Sequence, residues 1–282
     1  MKIKATTKIY GIFGHPVGHS LSPLMHNAAF EELKLNCVYV AFDINPKDIK
    51  TATESIKTMG ISGVNVTIPH KETILRHLDS ISPEARLTGA VNTVKNDGGK
   101  LYGFNTDVEG FLKAIKWDLG LHPEGLRVIL LGAGGASRAV ITALCMNQVS
   151  EIFVLNRTLA KAEKLATEFK NHFKKITITP IYLEDKNSVK KYLKVSDLVI
   201  NATSSGMGGV NHFELPLENL RNGSMVYDLV YKPRETALVK SARELGHKTS
   251  DGLSMLIYQG AESFEIWTGK KAPIEVMRKA IE

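Results

Sequence analysis

The short β-rich run Arg127–Leu131 passes without a linker into Gly132-Ala133-Gly134-Gly135-Ala136-Ser137, and the residues that follow, ASRAVITALCMN, carry a helix-compatible apolar pattern. A strand that turns on glycines into a helix is the entry of a dinucleotide-binding βα unit. Gly132 supplies the tight turn. Gly134 lets the backbone approach a pyrophosphate held by amide groups at the helix start, with Ala133, Gly135 and Ala136 completing the loop. The third motif position holds Ser137 rather than Gly or Ala, so a purely structural glycine turn stands as the alternative reading.

The next apolar run, EIFVL, ends at Asn156-Arg157-Thr158. An NAD-binding unit places an Asp or Glu at this point for the ribose 2′-hydroxyl. No carboxylate stands here. Arg157, with Asn156, Thr158 and Lys161, offers cationic and hydrogen-bonding donors suited to a 2′-phosphate, so NADP is expected over NAD. The alternative is that Arg157 and Lys161 are exposed charges at a helix start.

A chain of 282 residues exceeds what one core usually supports, and two domains are expected. The first half alternates β-rich runs at Ile9–Phe13, Val38–Phe42 and Gly63–Thr67 with helical stretches around 23–34 and 46–58. That alternation predicts an α/β layer with a mainly parallel sheet. Asp97-Gly98-Gly99 predicts a hairpin joining Ala90–Lys95 to Leu101–Phe104. A helix is expected from Asp107 through Trp117, then a linker at 120–125. Further strands are expected at Glu151–Leu155, Ile176–Ile181, Asp197–Ile200 and Met225–Leu229, the pattern of a doubly wound nucleotide-binding sheet. From Gly252, apolar residues recur at helical spacing, with breaks expected at Gly260 and Gly269, and a last helix is expected around 273–281. The fold class is therefore α/β with two domains. An N-terminal substrate-binding domain at 1–107, completed by helices at 252–282, accompanies a Rossmann-type NADP domain at 108–251.

The formal charge of +7 comes from lysines dispersed along the chain, which predicts a solvated basic surface and no nucleic-acid partner. No apolar run approaches the roughly 20 residues that span a bilayer, and the first residues lack the apolar stretch of a signal peptide, so no membrane association is expected. Cys37 and Cys145 lie far apart beside apolar residues and read as packed thiols of a reducing, cytoplasmic compartment. His15 and His19 have the spacing of helical metal ligands, but Pro16 and Gly18 between them rule out that helix. His26 and His70 read as packing, and no metal site is expected.

Four polar clusters remain in the first domain: HSLSPLMHN (19–27), NVTIPHK (65–71), GAVNT (89–93) and GFNTD (103–107). Each follows a strand-like run or a glycine, and ligands of open parallel sheets bind at strand carboxyl ends. Taken singly they read as capping or turn residues: Ser20 or Ser22 before Pro23, Asn92 in a turn, Asp107 at a helix start. Together with GAGGAS, NRT, INATSSGM, YDLVY and DGLSMLIYQGA, in order from about residue 9 to residue 269, they resemble the shikimate dehydrogenase family. The resemblance implies reversible, NADP-dependent interconversion of 3-dehydroshikimate and shikimate, a small-molecule substrate, and a homodimer or monomer. It implies that Ser20 and Ser22 bind the substrate carboxylate, with Tyr231 at the same end. Thr67, Lys71, Asn92, Asp107 and Gln259 hold the ring hydroxyls and the reacting oxygen, and Leu229 and Gly252 meet the nicotinamide. Lys161 stands where the family often has arginine, a departure from a bidentate grip on the 2′-phosphate. Lys71 is expected to supply the proton and Asp107 to orient it. A neighbouring carboxylate favours the ammonium form, whereas a general base near neutrality needs the opposite shift; with burial offsetting part of the effect of Asp107, Lys71 is expected to act mainly as proton donor and charge stabiliser in ketone reduction. A dehydrogenase with dual quinate and shikimate specificity is the alternative within the family. A glutamyl-tRNA reductase would need a catalytic cysteine and a long dimerising helix, and a silent ligand-binding homologue would not need the Lys71–Asp107 pair.

Overall fold

A computed structural model describes residues 2–209 and 214–282, which form two compact units: Met1–Gly110 with Ile257–Glu282, and Phe111–Leu256. In the first, β1 (Lys8–Gly14), α1 (Ser22–Glu32), β2 (Cys37–Asp43), α2 (Ile49–Thr58) and β3 (Gly63–Val66) alternate as expected. They are followed by β4 (Ser80–Ile81), α3 (Pro83–Thr88), β5 (Thr93–Asp97) and β6 (Lys100–Phe104). The sheet order is β2-β1-β3-β5-β6-β4. β1 runs parallel to β2 and β3, while β5 runs antiparallel to β3 and β6. The hairpin turn is Gly98-Gly99, with φ of +57° and +88°, values that glycine adopts without the steric penalty of a side chain. Reversal of β5 has a functional consequence. Its N-terminal end, preceded by Asn92, lies beside the C-terminal ends of β3 and β6, so residues 67–71, 92 and 105–107 share one sheet edge.

Two elements here were not anticipated. β4 is two residues long, and α3 is a six-residue helix too short to show periodicity. Its signals are nonetheless in the chain: Ser82 accepts from Ala85 N at 3.2 Å, Pro83 opens the helix, and Gly89 closes it at φ +63°.

α4 (Asp107–Ala114) gives way to a π-helical turn at Ile115–Leu119, closed by Gly120 at φ +70°, so the helix expected through Trp117 changes geometry in its last turn. In the second unit β7 (Arg127–Leu131), α5 (Gly135–Met146), β8 (Glu151–Asn156), α6 (Leu159–His172), β9 (Thr177–Tyr182), α7 (Lys186–Leu193), β10 (Leu198–Asn201), β11 (Met225–Asp228), α8 (Ala237–Glu244) and β12 (Lys248–Ser250) alternate. All its pairings are parallel, in the order β12-β11-β10-β7-β8-β9. This is a doubly wound sheet, with its switch point between β7 and β10. β12, the polar tripeptide Lys-Thr-Ser at the sheet edge, had no apolar signature to announce it.

The chain returns to the first unit at Ile257 within α9 (Leu253–Thr268), followed by α10 (Ile274–Lys279). The break expected at Gly260 does not occur, and α9 runs through it. A Cβ at Gly260 would lie 2.2 Å from Met25 Cε, so the missing side chain lets α9 approach α1 closely. The helical penalty of glycine, about 1 kcal/mol against alanine, is outweighed by burial of Phe264 and Trp267 on that face. Trp267 Nε1 donates to Val94 O at 2.9 Å, which fixes α9 across β5.

Candidate functional site

The shared sheet edge of the first unit collects Thr67, Lys71, Asn92 and Asp107 of the predicted substrate residues. Lys71, on the loop after β3, donates through Nζ to Asp107 Oδ2 at 2.6 Å, with side chains only 15% and 7% exposed. Val91 N donates to Lys71 O at 2.8 Å, which ties that loop to the residue before Asn92. Asn92, 2% exposed, donates through Nδ2 to Asp107 Oδ1 at 2.8 Å, Thr106 Oγ1 at 2.9 Å and Gln259 Oε1 at 3.3 Å. Its Oδ1 accepts from Thr106 N at 2.8 Å. Asp107 opens α4, yet its carboxylate faces Lys71 and Asn92 rather than capping the helix. Thr67 is half-buried beyond β3, where Gly14 leaves room for it: a Cβ there would sit 2.5 Å from Thr67 Cγ2.

Ser20 lies on the loop after β1 and Ser22 is the first residue of α1. Neither hydroxyl caps α1, whose N-cap is Leu21 without a side-chain bond, although Ser22 N makes a long contact to Ser20 Oγ at 3.3 Å. The phenol of Tyr39, near which the Ser22 hydroxyl lies, donates to Asn65 Oδ1 at 2.8 Å. Asn65 Nδ2 donates to Ser263 Oγ at 3.0 Å and Thr93 Oγ1 at 3.1 Å, and Ser263 and Thr93 meet Thr106 and Asn92. The floor of the site is thus a buried network in which each polar group is satisfied by another, the condition for a rigid polar interior. Burial holds the Tyr39 phenol well above the usual tyrosine range, so it stays a neutral donor.

In the second unit Gly132 adopts φ +106°, and its N–H donates to Leu155 O at 2.9 Å, which sets the turn beside Asn156. A Cβ on Gly132 would meet Thr203 Cγ2 at 2.9 Å, whereas one on Gly134 would meet nothing within 4 Å. The loop is therefore packed below and open above, and Gly134 precedes the first turn of α5. Ser137, the departure from the motif, is fully buried, and its Oγ lies 3.2 Å from the position of a Gly132 Cβ, so a small side chain is what the helix–strand packing requires. Arg157, Thr158 and Lys161 are exposed around the start of α6, and Asn156 Nδ2 donates to Thr158 O at 2.8 Å. Among the described residues neither Arg157 nor Lys161 pairs with a carboxylate, so both remain available to an anion. Open amide groups at a helix start and free cations one strand away fit a phosphorylated dinucleotide.

Leu229 and Gly252 are brought together: a Cβ on Gly252 would lie 2.0 Å from Leu229 O. Tyr231 lies two residues further on, half-buried, its phenol pushed up by burial. His26 is fully buried, stacked on Tyr39 at 4.4 Å, and burial pushes it down to about 3. His70 Nε2 meets Ile44 O at 2.7 Å, and His15 pairs with Asp43. The sequence did not single out Tyr39, Asn65, Thr93, Thr106 or Ser263. Asn65, Thr93 and Thr106 stand inside recognised clusters, but Tyr39 sits in an apolar strand and Ser263 between Glu262 and Phe264, and only the fold turns these two toward the polar floor.

A doubly wound sheet with a glycine turn at its switch point, and a second sheet carrying a Lys–Asp pair at its strand ends, define a two-domain α/β dehydrogenase. Family models match residues 12–94 (shikimate dehydrogenase substrate binding domain), 118–236 (shikimate/quinate 5-dehydrogenase) and 252–282 (shikimate 5′-dehydrogenase C-terminal domain). The NADP(+) shikimate dehydrogenase of Methanopyrus kandleri is 45% identical over 284 residues, covering 100% of this chain and 97% of that protein. The shikimate 5-dehydrogenase of Listeria monocytogenes, solved with shikimate and NAD, is 37% identical at a TM-score of 0.91, over 100% and 99% of the two chains. That of Thermus thermophilus, solved with NADP(H) and shikimate, is 38% identical at a TM-score of 0.86, over 97% and 98%. The chain belongs to the shikimate dehydrogenase family.

Proposed function

We propose that this protein catalyses the reversible, NADPH-dependent reduction of 3-dehydroshikimate to shikimate, a step toward chorismate and the aromatic amino acids. The observation that carries the reading is the buried Lys71–Asp107 pair at a sheet edge shared with Asn92, which also bonds Gln259 on α9. NADP, when bound, supplies or takes the hydride. The chain handles the proton. With one N–H of the ammonium engaged by Asp107, Lys71 keeps two donors for a substrate oxygen and protonates the alkoxide that develops as the ketone is reduced. Asp107 and Asn92 orient that ammonium and receive the neighbouring hydroxyl, assisted by Thr67 and Gln259. Ser20, Ser22 and Tyr231 receive the carboxylate. Gly132–Ala136 hold the pyrophosphate, Asn156, Arg157, Thr158 and Lys161 the 2′-phosphate, and Leu229 and Gly252 the nicotinamide. The buried free thiols of Cys37 and Cys145 suit a reducing cytoplasm.

The test is absorbance at 340 nm with shikimate or quinate and NADP or NAD. Formation of NADPH with shikimate at rates well above every other pair is expected. Faster turnover of quinate would transfer the assignment to the quinate branch of the family, and no turnover with either acid would remove it.

A further inference from the structure

Leu229 and Gly252 are held by more than the sheet. Asp228, the last residue of β11, is fully buried and accepts from Asn201 Nδ2 at 2.8 Å and Val230 N at 3.0 Å on one oxygen, and from Thr236 Oγ1 at 2.7 Å on the other. None of these donors is a cation. Asn201 O takes Leu229 N at 2.9 Å, and Asn201 Oδ1 takes Thr203 N at 3.0 Å and Thr203 Oγ1 at 2.7 Å. Thr203 is the residue whose methyl group packs on Gly132. On the other side Val230 O takes Gly252 N at 3.2 Å, and Gly252 lies against Leu229 O. One chain of contacts therefore runs from the glycine turn to Gly252, with Asp228 at its centre. A buried carboxylate without a counter-ion is expensive, and burial pushes this one up to about 6. A neutral amide would fill the same space. What the ionised group adds is acceptor capacity on both oxygens, so that the 229–230 turn and the cap of α8 are held at once.

We propose that Asp228 is a positioning residue for the cofactor, fixing the 229–230 turn and, through it, Gly252 where the nicotinamide is received. The inference rests on the assignment of Leu229 and Gly252 made above.

The test compares binding of NADP with that of adenosine 2′,5′-bisphosphate, which has the phosphorylated adenosine end and no nicotinamide, in the wild type and in Asp228→Asn by calorimetry. The variant turns one acceptor oxygen into a donor. NADP affinity should fall about tenfold while the bisphosphate changes by less than about twofold, since one charge-assisted bond near the nicotinamide is lost. Equal weakening of both ligands, or undiminished NADP binding, overturns the proposal. Should Asp228→Asn fail to fold, the same ratio in the wild type between about pH 7.5 and about pH 5.5 decides, because protonation removes the same acceptor. For this comparison the bisphosphate, whose 5′-phosphate monoester titrates in this range, is replaced by 2′-phosphoadenosine 5′-diphosphoribose, whose 2′-phosphate titrates as in NADP and whose diphosphate does not, so that ligand ionisation leaves the ratio unaffected. Among the described residues the charge that acts on Asp228 is that of Asp251, itself paired with Arg234 at 2.8 Å, and it raises Asp228 in the same direction as burial. A several-fold fall of the ratio on acidification supports the role, and a constant ratio overturns it. Failure of the wild type to bind NADP at all removes the cofactor reading and this inference with it.

Discussion

Asp107 is engaged on both oxygens, by Lys71 Nζ at 2.6 Å and by Asn92 Nδ2 at 2.8 Å. Lys71 is thereby aimed from one side while its remaining N–H groups stay unassigned. Replacement of Lys71 by methionine keeps the volume of the stem and removes the donor. Turnover should fall by about 10²- to 10⁴-fold with NADP affinity unchanged. The carboxylate left behind, 7% exposed, should lower stability by about 3 kcal/mol, read by urea unfolding. Near-normal turnover would take Lys71 out of the reaction.

Asn92→Ala removes a hub that serves Asp107, Thr106 and Gln259 together. Thr106 N would lose its acceptor inside the core. A loss of about 2 kcal/mol in stability and a raised KM for shikimate are expected, with the KM for NADP unchanged.

Arg157→Ala tests the 2′-phosphate assignment. The KM for NADP should rise about 10- to 100-fold while that for NAD changes little, because only the former carries the charge that Arg157 would meet. Parallel changes for both cofactors would count against the assignment.

Gly252→Ala would place a methyl group 2.0 Å from Leu229 O, a backbone atom that cannot rotate away. The backbone must shift, at a cost of about 1–3 kcal/mol, and cofactor binding should weaken at the same time. Calorimetric titration with NADP beside a thermal melt measures both effects.

His26 gives a pH dependence of definite sign. Its folded value of about 3 lies below the unfolded 6.5, so between those limits the unfolded chain binds the extra proton, and stability is lost as pH falls through the window. From pH 7 to 5 the loss should be about 2 kcal/mol. His26→Phe, which keeps a ring stacked on Tyr39, should be flatter by that amount. Asp228 acts oppositely: its folded value is raised to about 6, so it favours the folded state as pH falls from 6 toward 4. Because Asp228 is present in both proteins, the difference between them isolates His26. Identical pH slopes would contradict the burial account of His26.

The sequence by itself determined which segments are strands and helices wherever the signal is local. The run into Gly132 and Gly134, the Gly98-Gly99 hairpin and the apolar strands of the doubly wound sheet are properties of neighbouring residues, and they fold as read. The site residues were legible as types, because Lys71, Asn92 and Asp107 stand in recognisable clusters. Gly260 was misread because a glycine in isolation argues against a helix, while across the fold the Met25 side chain occupies the space that a side chain at this position would enter. Only the tertiary structure decided that β5 reverses and brings Asn92 to the edge where Lys71 and Asp107 end. It alone decided that Tyr39, Asn65 and Ser263, residues 39 to 263 along the chain, close into one hydrogen-bonded floor. Local propensity sets the conformation of each segment, but pairing across long sequence separations depends on how buried faces and polar groups satisfy one another, and no single segment contains that information.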